Sequence, residues 1–152
     1  IYGQLISDVT FFGSDLYLSD TTSLTVYNTF DQARQSETFI YGTKLADTFA
    51  TKDDLILAYV PVSSVDSNTY TVRLLSRKGL DTLIQLPSGI SNFALSGKYI
   101  YCFSKDTVYL YAHTGEFVKS IPIEFELTSF RKLCPGAVLL GSPEGLYTMP
   151  LS

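Results

Sequence analysis

Few side chains in this sequence are of types that do chemistry on their own. His113 is the only histidine, and it falls in the turn-like stretch Ala112-His113-Thr114-Gly115-Glu116. A metal centre or a Ser-His-Asp triad needs partners that converge on the imidazole, and the spacing around His113 supplies none. Carboxylates recur in polar turns at Asp15, Asp20, Asp53, Asp54, Asp66 and Asp106. A calcium loop would need several closely spaced oxygen ligands and a glycine at its bend; no such run occurs. The expected role of these aspartates is to bond their own backbone in Asx-type turns. Basic residues occur as Arg73, Arg77 with Lys78, and Arg131 with Lys132. Arg77-Lys78 sits in a turn and could meet an acidic partner or a phosphate, whereas Arg131-Lys132 reads as a solvated strand edge. No Gly-X-Ser-X-Gly elbow and no phosphate-cradling glycine loop is present. The sequence therefore assigns no catalytic residue, no cofactor and no metal.

Composition narrows the classes further. In 152 residues, 45% are hydrophobic and 17% charged, with a net charge of −4. That composition excludes a disordered tail. The acidic balance argues against nucleic-acid binding, which needs a basic face. No apolar run is long enough to span a bilayer, so no direct membrane insertion is expected. Two cysteines, Cys102 and Cys134, cannot form a dense disulfide framework, and both are expected as buried free thiols. Asn28, Asn68 and Asn92 all lack the Ser or Thr that a glycosylation sequon requires. These features point to an intracellular, cytoplasmic protein.

The elements that position these residues are strands. Tyr (11) and Phe (10) are abundant, and such residues suit a pleated, half-buried surface. Short apolar runs such as Leu16-Tyr17-Leu18, Leu55 to Val60 and Val108-Tyr109-Leu110-Tyr111 are bounded by Gly, Asp, Ser and Pro. No stretch keeps helical spacing over three turns. The pattern also repeats. Ile1-Tyr2-Gly3 recurs 39 residues on as Ile40-Tyr41-Gly42, and Asp15-Leu16 recurs at the same interval as Asp54-Leu55. Val108 and Leu146 stand 38 apart, and Gly79 and Gly115 stand 36 apart. The longer step in the second unit comes from a polar insertion, Val62 to Asn68. Each unit reads as four short antiparallel strands joined by tight turns.

Four strands per repeat of this length is the mark of a β-propeller blade. The chain resembles the broad WD40-like propeller class across its whole length, although it lacks that class's Gly-His and Trp-Asp marks and has no Trp. The hairpin Ala137 to Tyr147, with Gly141-Ser142-Pro143-Glu144-Gly145-Leu146-Tyr147, resembles those of citron-homology propellers in regulatory and membrane-traffic proteins. The expected architecture is all-β, with four-stranded antiparallel blades at 1–42, 43–89, 90–127 and an incomplete 128–152. Ile1-Tyr2-Gly3 matches the end of a fourth strand. That suggests a part of a larger propeller whose remaining blades lie in the same parent chain, or alternatively a small four-bladed ring closed by the N-terminal strand. The resemblance implies a non-catalytic scaffold that binds other proteins within a larger assembly, with vesicle trafficking as the setting the citron-homology likeness implies. The alternative is an enzyme or small-ligand propeller with its site at the central channel. Inner strands ending in Phe12, Ala50, Leu95 and Leu133 argue for an apolar channel. The candidate partner contacts are Pro61, Val62, Val65 and Asp66 in the insertion, and Arg77 and Lys78 in the turn.

Overall fold

The computed structural model describes residues 5–62 and 70–152. Fifteen strands fill it. They are β1 (Asp8–Phe12), β2 (Asp15–Ser19), β3 (Ser23–Asn28), β4 (Arg34–Phe39), β5 (Thr43–Ala50), β6 (Leu55–Pro61), β7 (Tyr70–Ser76) and β8 (Asp81–Leu86). The remainder are β9 (Asn92–Leu95), β10 (Tyr99–Phe103), β11 (Thr107–Ala112), β12 (Phe117–Pro122), β13 (Ser129–Cys134), β14 (Ala137–Ser142) and β15 (Gly145–Pro150). They form four antiparallel sheets in simple up-and-down order: β1–β4, β5–β8, β9–β12 and β13–β15. These are called sheets 1 to 4 below.

The turns explain why hairpins form where they do. Asp20 closes the β2–β3 hairpin as an Asx-turn, its Oδ1 accepting from the backbone N of Thr22 and Ser23, each at 2.7 Å. Those two donors hold the Asp20 carboxyl below the usual carboxylate range. Gly79 and Gly115 occupy the equivalent turn before the fourth strand of sheets 2 and 3. Both take left-handed φ (98° and 94°), a conformation that favours glycine. Their N–H groups donate to Ser76 and Ala112 carbonyls.

Sheets pack face to face in sequence order, and three buried clusters mark the junctions. Tyr17, Leu24 and Val26 of sheet 1 meet Leu55, Leu57 and Tyr59 of sheet 2. Ile56, Val72 and Leu74 of sheet 2 meet Leu95, Ile100 and Cys102 of sheet 3. Tyr101, Phe103 and Val108 of sheet 3 meet Val138 and Leu140 of sheet 4. Each central strand thus contributes one parity of residues to the junction before it and the other to the junction after it. This explains why β6 is buried at six consecutive positions, Leu55 to Val60. It also explains why such strands read as continuous apolar runs.

Several local expectations are revised. The first strand of the second unit, which ends at Ala50, starts as early as Thr43 and carries a bulge between Leu45 and Asp47. Ile40-Tyr41-Gly42 follows β4, which ends at Phe39, and links the sheets. Cys102 is a buried free thiol as expected, pushed up to about 12 by desolvation. Cys134 is free but exposed. It ends the inner strand beyond an irregularity between Lys132 and Cys134, where the alternation that would bury it breaks. Ile1-Tyr2-Gly3, Val65 and Asp66 lie outside the described residues.

Candidate interaction groove and axial cluster

Two places gather the polar residues of this molecule. The first is a groove of about 650 Å3 where sheets 1 and 2 meet, walled by Tyr17 and Val26 on one side and by the turn Ser76–Asp81 on the other. Arg77 and Lys78 both lie in it, so the structure brings together the two basic residues singled out from the sequence. The Arg77 backbone N donates to the Leu55 carbonyl at 3.0 Å, which ties the turn to β6. Its guanidinium carbon stands 5.5 Å from the centre of the Phe12 ring, and its Nε is 3.9 Å from Asp15 Oδ2. At that distance the guanidinium is loosely paired, and about half of its side chain is exposed. Lys78 is anchored by its backbone N, which donates to Asp54 Oδ1 at 3.2 Å. Beneath them, burial and then the Asp15 carboxylate push the Tyr17 phenol upward, so it stays neutral. Beside the groove, Arg73 donates from Nε and Nη2 to both Asp81 oxygens, at 2.9 and 2.8 Å. This bidentate pair holds the Asp81 carboxyl below the usual range.

Pro61 and Val62 are placed elsewhere. β6 runs from Leu55, beside Arg77, to Pro61 at its far end. Val62 is exposed, and its N–H donates to the Gly42 carbonyl. The structure therefore separates these two residues from Arg77 and Lys78 by the length of a strand.

The second place lies among the inner strands and was not singled out from the sequence. Asp47 on β5 accepts from Lys132 Nζ on β13 and from the backbone N of Leu95 on β9, the latter at 2.9 Å. Its Oδ1 also accepts from the Thr48 N, and Lys132 Nζ reaches the Thr48 carbonyl at 3.2 Å. One carboxylate thus joins three sheets. Two expectations change here: Lys132 is an ion-pair partner and not a solvated edge, and the inner strands carry a polar cluster despite their apolar ends. Asp47 escaped notice because a bulge between Leu45 and Asp47 shifts the register just before it. His113, by contrast, stays a turn residue, its Nε2 lying 3.0 Å from the Ser96 carbonyl.

Among the described residues, no group of three His, Cys, Asp or Glu side chains gathers as a metal site. No helix there is long and apolar enough to cross a membrane.

Antiparallel sheets of three or four strands, stacked face to face in chain order with their first strands innermost, define a β-propeller built of about four blades. Solved structures agree with that class. BamB from Moraxella catarrhalis, a β-propeller, superposes with a TM-score of 0.55 at 19% identity, over 92% of this chain and 41% of its own. Kluyveromyces lactis Hsv2, also a β-propeller, gives 0.53 at 16% identity, over 99% of this chain and 47% of its own. The computationally designed Ika4 protein gives 0.60 at 11% identity, over 99% of this chain and 94% of its own. This chain thus spans less than half of BamB and of Hsv2. No protein-family description and no curated protein matches the sequence.

Proposed function

We propose that this chain is a non-catalytic interaction module, a propeller segment that binds other proteins within a larger assembly. The observation that carries this reading is the groove between sheets 1 and 2. It is open, it is floored by apolar residues and it is rimmed by a loosely paired Arg77 and by Lys78. Such a site suits a protein segment that offers an apolar side chain and a carboxylate. Apolar contact would supply most of the binding energy, and the carboxylate would fix orientation. Loops on a rigid scaffold commonly carry such contacts. The resemblance of the Ala137–Tyr147 hairpin to citron-homology propellers, within a WD40-like pattern, supports a role in vesicle trafficking as the finer form of this reading.

A second reading places a small-molecule or catalytic site at the channel. It is favoured by the Asp47–Lys132 cluster, which sets an acid and a base side by side near the axis. Both groups are already satisfied by each other and by backbone, as in a structural bridge, so the groove reading is preferred.

The test is a pull-down from native lysate using the intact chain and an Arg77→Glu/Lys78→Glu variant, alongside a thermal-shift screen of small ligands. Proteins retained by the first and lost by the second support the module. A retained set that ignores the substitutions would overturn the groove, as would a small ligand that stabilises the chain when no protein co-purifies.

A further inference from the structure

The junctions between sheets share one register, so equivalent residues can be compared from one to the next. In sheets 1, 2 and 3 the third strand turns Leu24, Val72 and Val108 toward the following sheet. Opposite them on the fourth strand stand Thr38, Ile84 and Ile121. Two residues along, Ser36 takes the position of Thr82. Between sheets 2 and 3 the fourth strand reaches the glycine turn of the next sheet. A methyl group on Gly115 would lie 3.5 Å from Thr82 Cγ2 and 3.7 Å from Ile84 Cγ1, and Ile84 is 2% exposed. Between sheets 1 and 2 it does not. A methyl group on Gly79, the equivalent glycine, would meet no heavy atom within 4 Å beyond its chain neighbours. The turn side is smaller as well. Tyr111 and Phe117 pack edge to face in sheet 3, where sheet 2 has Leu75 and Asp81.

The groove between sheets 1 and 2 is therefore a junction that lacks the filling its neighbour has. Thr38, Leu24, Leu75 and Gly79 all line it. Ile84 shows what would close it: a branched aliphatic side chain offered from an extended strand. The groove also runs beside β4, the edge strand of sheet 1, so an extended segment can lie along it. Its charges are uneven. Asp81 is held by Arg73, and Asp15 faces Arg77. Lys78 is exposed on the rim and has no ion pair among the described residues. One positive charge is thus left to attract a carboxylate.

Resting on the groove as the site of interaction, we propose that its partner is an extended segment of another protein with a particular side-chain pattern. An isoleucine or valine of that segment sits against Thr38 and Gly79, and an aspartate or glutamate close by in its sequence meets Lys78. The aliphatic side chain takes the part that Ile84 plays between sheets 2 and 3. Thr38 is then the residue that sets specificity, because its small side chain leaves the slot open.

Selection of random peptides displayed on phage tests it, run on the intact chain and separately on Thr38→Ile, which places in sheet 1 the residue of sheets 2 and 3. The parent is expected to enrich peptides with Ile or Val near Asp or Glu, and a synthetic peptide of the enriched sequence should bind it in a fluorescence-polarisation titration. Thr38→Ile should melt no lower than the parent and bind that peptide about tenfold more weakly or worse, the worth of burying one aliphatic side chain. Thr38→Ala keeps the slot open and should bind as the parent does. A parent that selects no peptide overturns the proposal, as does an enriched sequence without the aliphatic residue or without the acid. A Thr38→Ile chain that melts below the parent also overturns it, by showing that the gap does not fit the side chain. Binding that survives Thr38→Ile but is lost in Arg77→Glu/Lys78→Glu overturns the slot and leaves the groove standing. Binding that neither substitution weakens overturns both.

Discussion

Replacing Asp47 by alanine isolates the carboxylate that joins three sheets. The substitution removes the acceptor for the Leu95 N–H, in a residue with no exposed surface. A buried donor left without a partner costs about 1–3 kcal/mol. It also strands Lys132, whose side chain is 27% exposed while that of Asp47 is 12% exposed. Lys132 can turn to water, so the lost pair is discounted to about 1 kcal/mol. Together these give about 3 kcal/mol, and a chain of this size loses about 2–4 °C per kcal/mol, so the midpoint should fall by about 6–12 °C. Lys132→Met should behave differently. Asp47 then keeps the N–H groups of Thr48 and Leu95, and only the discounted pair is lost, about 1 kcal/mol. Urea denaturation of the parent, both single variants and the double variant measures the two costs and their coupling, expected near 1 kcal/mol. The decisive feature is the asymmetry. If Lys132→Met costs as much as Asp47→Ala, the ion pair and not the backbone donor carries the bridge, and the reasoning fails. It fails equally if Asp47→Ala is neutral, since the Leu95 N–H would then have found another acceptor.

Three further outcomes follow from buried and paired groups. Tyr59→Phe should lower stability by about 1 kcal/mol, because it strands the buried Ser19 hydroxyl 2.7 Å away; chemical denaturation measures it, and Ser19→Ala in the same background should cost little more. Asp20 and Asp81 both have carboxyls held below their ordinary value, so the unfolded chain binds their protons first as pH falls. Their contribution is full above about pH 4 and is lost below it; the melting temperature should drop on acidification, and less so in Asp81→Asn. Cys134 should react with a thiol reagent in the native protein while Cys102, buried and with its thiol held protonated, reacts only on unfolding; two equally fast thiols would contradict the packing.

Much of the architecture was legible because a blade strand must serve two junctions. That demand produces runs such as Leu55 to Val60 and Val108 to Tyr111, and the recurring glycine turns give the unit length. The Asp20 turn was legible too, since an aspartate three residues before a strand has few uses besides its own backbone. Part of what escaped comes from bulges on inner strands, which break the period of two, so Asp47 and Cys134 end up where alternation does not place them. Side chains that meet across 85 residues, as Asp47 and Lys132 do, leave no local signal. Arg77 and Lys78 were visible as a basic turn, but the groove they rim is made by sheet 1, and no property of the turn announces it.

The groove is built partly on sheet 1, and this ties its occupancy to the stability of that sheet. In a stack of sheets each element is stabilised mainly by its immediate neighbours. Sheet 1 is held through a single buried cluster, whereas sheets 2 and 3 are each held through two. Sheet 1 and sheet 4 are therefore the places where local opening should begin. A partner seated across the groove would bridge Asp15 and Tyr17 of sheet 1 to the Arg77 turn of sheet 2, binding only while that junction is closed. Its binding energy would add to the stability of the junction by mass action. Stabilisation of the sheet 1–sheet 2 junction by a groove partner is then a consequence of sheet architecture, with no contact to the rest of the chain required.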